Sequence, residues 1–371
     1  MRTEVFAMDS VNRMKNRLFS LDVLRGLDML LLVAIGPLVR QSNAAWHWCS
    51  PWFVGQLQHN WSGFTLWDLI MPLFIFMCGA AIPFALGKRL KEGQGVFWRH
   101  VLSRVALLWF LGGLIQGQWA SLDPLKMAPY ANTLHAIAVG YLAAAAVMCV
   151  RSRVFAICVT ASLALAYTLF LSFGGDYSEF GNAAFKFEQP IREAIYPDGH
   201  MRLVKPSYYT WYPTSLMFIV MTMCGYFATE ILRSAGTPRR KAIALFAYAG
   251  GLLAVGFGVS PWIPVIKPIF TLSFTALAMG WSVLSLAVLY VLCDILMFRR
   301  GWGLVLLFGQ VALTAYFVSH FFRPVLESFA RTVAQGVLPH VAEGTRPFVL
   351  EVFMVIATIG VMYAWRRLKE K

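Results

Sequence analysis

Residues 64–87, FTLWDLIMPLFIFMCGAAIPFALG, form the stretch that decides the fold. Asp68 is the only charged residue in it. A helix that crosses the hydrocarbon core of a bilayer needs roughly 20 apolar residues, so this stretch predicts a membrane-spanning helix. Pro72 and Pro83 do not argue against it, because neighbouring helices can satisfy the carbonyl groups that a proline frees.

The whole chain has the same character. Of its 371 residues, 58% are apolar and 13% are charged. Ordinary soluble domains carry about 25% charged residues, and disordered chains are poor in apolar ones. The composition excludes both classes and predicts an all-α fold, a polytopic transmembrane helical bundle.

Ten stretches are apolar enough to span a membrane. We expect one transmembrane domain over 1–371, with 1–20 as a cytoplasmic N-terminal segment and 174–207 as an outer loop. The expected spans are about 21–41, 64–87, 98–117, 132–150, 154–173, 209–232, 242–261, 267–293, 302–321 and 346–365.

The positive charges indicate the orientation of these spans. The chain has 32 Lys and Arg against 18 Asp and Glu, a net charge of +14. With both termini in the cytoplasm, 20 of the basic residues lie inside and 10 outside. Because cytoplasmic loops are enriched in Lys and Arg, this arrangement is favoured. We expect the protein in an inner (cytoplasmic) membrane. The charge then reflects topology, and nucleic acid is not an expected partner.

A first charged cluster lies at the start of the first span. In SLDVLRGLDM, the steps of three between Asp22, Arg25 and Asp28 place these side chains near one helical face. One interpretation is an internal ion pair that fixes helix packing. The other is that Arg25, held by the two carboxylates, binds an anionic group from the cytoplasm. Arg104 in the third span has two interpretations of its own: it contacts the phosphates of an anionic ligand, or it contacts the lipid headgroups of the inner leaflet.

A second cluster precedes the second span. His59, Asn60 and Trp61 fall in the outer loop, and Asp68 enters the apolar helix about one turn in. Histidine changes charge near neutral pH, and a nearby carboxylate would fix its tautomer, as in acyl-transfer enzymes. The alternative is a solvated His59 beside interfacial tryptophans.

Three further polar residues are candidates for substrate binding. Asn132 and His135 begin the fourth span at its outer end, where a helix cap is the alternative role. Lys267 opens the eighth span on the outer side. It would bind a substrate carboxylate or phosphate, or else extend its amino group to the membrane surface.

These strings resemble the heparan-α-glucosaminide N-acetyltransferase family of transmembrane acyltransferases and its bacterial relatives. The family pattern has a Ser-x-Asp-x-x-Arg-Gly helix start, then a histidine before Trp-x-Gly-x-Thr-x-x-Asp-Leu-x-x-Pro-x-Phe-x-Phe. NTLHAIAVGYLAAA from Asn132 and the stretch 266–294 resemble it as well. The matching residues of the two strings are Ser20, Leu21, Asp22, Arg25, Gly26, His59, Trp61, Gly63, Thr65, Asp68, Leu69, Pro72, Phe74, Phe76 and Gly79.

The resemblance implies an acyltransferase that moves an acetyl group from cytoplasmic acetyl-CoA to an amino sugar or other sugar acceptor across the membrane. His59 matches the family's proposed catalytic histidine, and we expect Asp68 to assist it. We expect Asp22, Arg25, Asp28 and Arg104 to bind the CoA thioester. Asn60, Trp61, Asn132, His135 and Lys267 are expected to contact the acceptor. Direct transfer and an acetyl-histidine intermediate are both open.

The alternative function is a membrane transporter for a sugar or related small molecule, since transporters also place charges within spans. Many transporters contain two related halves, and neither charged string recurs in this chain. The lipid bilayer is an expected partner, and the sequence leaves a homo-oligomer open. The six cysteines lack metal-ligand spacing, so we expect no metal.

Overall fold

The computed structural model describes residues 18–123, 127–195 and 210–370. The fold is all-helical, with 79% of the residues in helices and no strand in the described ranges. The α-helices are α1 (Phe19–Leu30), α2 (Gly36–Trp46), α3 (Pro51–Gly55), α4 (Leu66–Glu92), α5 (Gln94–Ile115), α6 (Thr133–Val150), α7 (Arg153–Gly174), α8 (Ala183–Ile195), α9 (Ser215–Arg233), α10 (Pro238–Val259), α11 (Leu272–Leu289), α12 (Gly303–Gln310), α13 (Ala312–Phe321), α14 (Arg323–Val333) and α15 (Arg346–Glu370).

Two π-helical segments interrupt this pattern. Leu31–Ile35 joins α1 to α2, and Tyr290–Ile295 continues α11. A π segment carries one more residue per hydrogen-bonded turn than an α-helix, and it is found in short stretches. The first predicted span is therefore helical throughout but not a uniform α-helix.

Seven helices of the described chain are long and apolar enough to cross a membrane, as expected of a multi-pass helical membrane protein. The pair α12 and α13, bent by 79°, would be an eighth span. The predicted spans 21–41 and 98–117 are not among the seven: the first is divided into α1, a π-helical segment and α2, and the second carries His100 and Arg104. The seven are Leu66–Glu92, Thr133–Val150, Arg153–Gly174, Ser215–Arg233, Pro238–Val259, Leu272–Ile295 and Glu343–Leu368.

The chain divides into two compact units. One comprises 1–48, 238–242 and 285–371, and the other comprises 49–237 and 243–284. We call them the terminal unit and the central unit. The expectation of a single domain stays a prediction. The predicted outer loop at 174–207 contains α8 within its described part, and most of the N-terminal segment 1–20 lies outside the described residues.

Helix α4 is the core of the central unit, where it packs against α9 with very close backbones. A Cβ atom on Gly79 would clash with the carbonyl of Thr222, and one on Gly225 would clash with the carbonyl of Phe76. Small residues at such contacts let membrane helices approach closely. Near Pro83, the Thr229 hydroxyl donates to the carbonyl of Ala80 at 2.7 Å.

The helices of the central unit alternate in direction, and many of its basic residues lie at one end. The last turns of α4 pack with the first turns of α5 and the end of α6, around Leu86, Phe97 and Ala144. Thr65, the residue before α4, therefore lies at the opposite end of the central unit. Basic residues collect at the end where α4 stops; they are Lys88, Arg89, Lys91, Arg99, Arg151, Arg153 and Arg233.

The terminal unit is also built on a close glycine contact. A Cβ atom on Gly26 in α1 would clash with the carbonyl of Val305 in α12. A Cβ atom on Gly309 would clash with the carbonyl of Asp22. The helix start that carries the first charged cluster is thus packed directly against α12.

We predict that Gly79→Ala destabilises the protein by about 1–3 kcal/mol, because overpacking forces α4 away from α9. Gly87→Ala is the matched control on the same helix, since the nearest atom to its added Cβ is a flexible Arg233 nitrogen at 3.8 Å. Thermal unfolding in detergent measures the effect. An unchanged melting temperature for Gly79→Ala would contradict the close contact.

Candidate catalytic site

The candidate site begins with the N-terminus of α4. Thr65 precedes the helix with extended backbone, and its hydroxyl accepts a hydrogen bond from the amide of Asp68 at 3.2 Å. The Asp68 carboxylate accepts in return from the Thr65 amide, also at 3.2 Å. This reciprocal capping box satisfies two amide groups that a helix start leaves without partners. It also fixes the direction of the Asp68 side chain.

Asp68 is buried, and its two carboxylate oxygens have different partners. Its side chain is 1% exposed. Oδ2 faces Thr65, with the amide at 3.2 Å and the hydroxyl at 2.8 Å. Oδ1 lies 2.7 Å from Nδ1 of His59. The structure therefore brings together the two residues for which we predicted a catalytic role.

Lys267 completes the cluster from the segment between α10 and α11. Its amino group lies 3.1 Å from Asp68 Oδ1 and 3.1 Å from His59 Nδ1, and its side chain is 7% exposed. We expected this residue to bind a substrate anion or to extend to the membrane surface. Within the central unit it forms an ion pair with Asp68, and its contact with a substrate stays a prediction.

Backbone contacts hold the Lys267 segment against the loop that carries His59. The Gly63 amide donates to the carbonyl of Val265 at 2.8 Å, and Ser62 and Ile266 form an isolated antiparallel bridge. The Thr271 hydroxyl accepts from the Ile266 amide at 3.1 Å and donates to the carbonyl of Pro264 at 2.8 Å. Lys267 thus reaches Asp68 from a turn that these hydrogen bonds hold in place.

The hydrogen-bond network assigns the tautomer of His59. An ionised carboxylate has no proton to donate, so Nδ1 of His59 carries the hydrogen and donates it to Asp68. The Lys267 amino group then donates to Asp68 and only contacts Nδ1. In the neutral ring this leaves a lone pair on Nε2, which makes no hydrogen bond within the described residues. The side chain is 52% exposed, so this nitrogen is accessible.

Burial affects the charge of Lys267. Removal from water lowers the pKa of its amino group to about 8, and the nearby Asp68 carboxylate opposes part of that decrease. A charged ammonium group is favoured below about pH 8, where it neutralises the buried carboxylate. Above that pH the neutral amine leaves Asp68 without its cationic partner.

Asn60 and Trp61 follow His59 at the same end of the central unit. Asn60 is exposed, and Trp61 is half-buried. The indole nitrogen of Trp61 donates to the carbonyl of Tyr177 at 3.1 Å. This contact ties the His59 loop to the segment after α7.

Asn132 and His135 both make folding contacts. Asn132 caps α6, because its side-chain oxygen accepts from the amides of Leu134 and His135 at 2.9 and 3.3 Å. His135 Nδ1 accepts from the Ala131 amide, and Nε2 donates to the Trp109 carbonyl, both at 3.0 Å. Both ring nitrogens of this buried histidine are therefore engaged. Their contact with an acceptor stays a prediction.

The residues expected to bind CoA lie in both units. In the terminal unit, Arg25 pairs with Asp22 at 3.3 Å, and Asp28 is buried with no hydrogen-bond partner for Oδ2 among the described residues. In the central unit, the Arg104 guanidinium lies 5.4 Å from the centre of the Tyr141 ring. The pairing of Arg25 fits either interpretation of the first cluster, so CoA binding stays a prediction.

Two features of this site were missed from the sequence: the cap made by Thr65 and the ion pair made by Lys267. Thr65 stands in the quoted motif, and the spacing Thr-x-x-Asp is itself the signature of a capping box. Lys267 was singled out, but nothing in the sequence linked it to Asp68. In the ranges that the structure covers, no group of three His, Cys, Asp or Glu is arranged to hold a metal ion.

Comparison with known proteins matches part of this chain to a family model. It is a domain of unknown function, DUF5009, and it matches residues 17–116. That range contains both charged strings, including His59 and Asp68, and ends before Lys267. No curated protein matches the chain.

Proposed function

We propose that this protein is a transmembrane acyltransferase that moves an acetyl group from acetyl-CoA to an amino sugar or another sugar acceptor. The observation that carries the proposal is the contact of 2.7 Å between Nδ1 of His59 and the buried Asp68. The other ring nitrogen, Nε2, belongs to a side chain that is 52% exposed. A histidine oriented by a carboxylate is the base arrangement of acyl-transfer enzymes. The resemblance of the surrounding motifs supplies the substrate class.

His59 acts as the general base in this proposal. Its Nε2 takes a proton from the acceptor amine or hydroxyl while that group attacks the thioester carbon. The new C–N or C–O bond forms, the C–S bond breaks, and the proton held by His59 passes to the departing thiolate. The products are the acetylated acceptor and CoA with a free thiol.

Asp68 and Lys267 prepare His59 for this step. The Asp68 carboxylate keeps the hydrogen on Nδ1 and stabilises the positive charge that forms on the ring. Lys267 and Thr65 hold that carboxylate in place, since a buried carboxylate without partners would be strongly unfavourable. Asn60 and Trp61 beside His59 are the acceptor contacts that we propose first.

The proposed orientation places His59 outside an inner membrane, with ten spans and both termini in the cytoplasm. The charge distribution of the central unit supports it, because the basic end of α4 is opposite the end near His59. Cytoplasmic ends of membrane helices are enriched in Lys and Arg. The donor would enter from the cytoplasm, with its phosphates near Arg25 or Arg104.

We predict that His59→Ala lowers kcat by about 10²–10⁴-fold, because the reaction loses its general base. The assay measures free CoA thiol released from acetyl-CoA by the purified protein in detergent when amino sugars are added. His340→Ala is the matched control, since His340 is exposed in the terminal unit and should leave the rate unchanged. Near-normal turnover by His59→Ala would contradict the assignment.

The thiol assay, together with an uptake assay on vesicles that contain the purified protein, separates this proposal from the transporter alternative. No release of thiol on a broad panel of acceptors, together with sugar-dependent uptake into vesicles, would favour a transporter.

We predict that kcat/KM decreases above about pH 8, because Lys267 loses its proton there. We call this decrease the alkaline limb of the pH profile. Above its pKa of about 8 the amino group is neutral, and Asp68 loses its ion-pair partner. In Lys267→Arg the limb should move upward by about two pH units or more, because a guanidinium stays charged. Lys267→Met should be impaired at every pH. A limb that stays near pH 8 in Lys267→Arg would exclude Lys267 as its source.

We predict that a cysteine at position 60 reacts with a membrane-impermeant maleimide on intact cells, whereas one at position 234 reacts only after permeabilisation. Asn60→Cys and Ser234→Cys, each in a background without the native cysteines, test this, because both positions are exposed. The reverse labelling pattern would place His59 in the cytoplasm and refute the proposed orientation.

A further inference from the structure

Helix α14 is a short amphipathic helix between two apolar ones. It follows α13, which ends at Phe321, and the chain then continues to α15, which begins at Arg346. The segment from Glu343 to Leu368 is among those long and apolar enough to cross a membrane, and α13 belongs to the bent pair. A helix that connects two such segments is expected at the membrane surface, where α13 and α15 leave the bilayer.

One side of α14 packs within the terminal unit. Leu326 and Ala330, followed by Ala334, contact Leu350 and Met354 of α15. Ala330 and Ala334 are completely buried. The spacing of four places these three side chains on one face of the helix. This contact fixes the rotation of α14 about its own axis.

A second side of α14 is apolar and exposed. Val325, Phe329 and Val333 are 62%, 52% and 49% exposed, and Phe322, just before the helix, is 42% exposed. With 3.6 residues per turn, these four side chains lie within about 80° of one another. They form a continuous apolar face that the described residues leave about half exposed. We call it the apolar face of α14.

The remaining sector of α14 is polar, and its charges compensate one another. Arg331 pairs with Glu327 at 2.7 Å, and Ser328 and Thr332 are exposed between this pair and the apolar face. Arg323 at the start of the helix pairs with the buried Glu351 at 3.0 Å. Apolar area, rather than net charge, is therefore what this helix offers to a partner.

We propose that α14 lies in the bilayer surface, with its apolar face in the boundary between headgroups and acyl chains. Three sectors fit this position: one packed on α15, one apolar toward lipid, and one polar toward water. Helices in which an apolar and a polar side are separated in this way bind in the plane of the membrane interface. Because the charges are paired internally, the position should not depend on anionic lipids.

The test places nitroxide labels on the full-length protein in lipid nanodiscs. Phe329→Cys and Val325→Cys report the apolar face, and Ser328→Cys is the matched control on the polar side. We expect labels at 325 and 329 to be relaxed mainly by oxygen, which concentrates in the acyl region. The label at 328 should react at least about fivefold more with a water-soluble nickel chelate, as an interfacial helix requires. Nanodiscs of zwitterionic and of anionic lipid should give the same result.

Two results would overturn the proposal. Equal exposure of positions 325, 328 and 329 to the nickel chelate would place the whole helix in water. Shielding of 325 and 329 from both reagents would mean that protein, such as a second copy of the chain, covers the apolar face. Phe329→Asp gives a measurement without labels, and it should lower the melting temperature in nanodiscs more than Ser328→Asp. Equal shifts for the two variants would also overturn the proposal.

Discussion

The buried carboxylate of Asp68 is the group on which the end of the central unit near His59 depends. One of its oxygens completes the N-terminal cap of α4, and the other holds His59 and Lys267. A carboxylate is stabilised near a helix N-terminus, where the peptide dipoles present their positive end. The same charge therefore begins a membrane-spanning helix and organises the candidate site, so folding and chemistry share one side chain.

The close packing of α4 explains how this arrangement keeps its geometry. Gly79 and Gly225 let the backbones of α4 and α9 meet, and the Thr229 hydroxyl bonds the α4 backbone directly. Such contacts leave the helix little freedom to slide or rotate. A base and its orienting carboxylate need positions fixed to a fraction of an ångström, and rigid helices supply this better than loops do. His59, on a loop, gains its position from the rigid residue that it contacts.

Parts of this fold and site follow from sequence patterns, and other parts cannot. Long apolar stretches identify membrane helices, and Thr65-x-x-Asp68 marks where α4 begins. The contact between His59 and Asp68 depends on the path of a loop, which spacing does not fix. Lys267 lies about 200 positions away, and the backbone pairing of Ser62 and Gly63 with Val265 and Ile266 holds its segment at the site. For Asn132, the helix-start pattern anticipated the cap that the structure contains.

The π-helical segments at Leu31–Ile35 and Tyr290–Ile295 have a consequence for comparing related sequences. Each holds one extra residue in a turn, so deletion of one residue there would restore a regular α-helix. A gap of one position in either segment is compatible with the same fold. A gap of one position within Leu66–Glu92 would instead rotate every following side chain by about 100° and break the glycine contact with α9. The two kinds of gap therefore distinguish relatives that keep this core from those that do not.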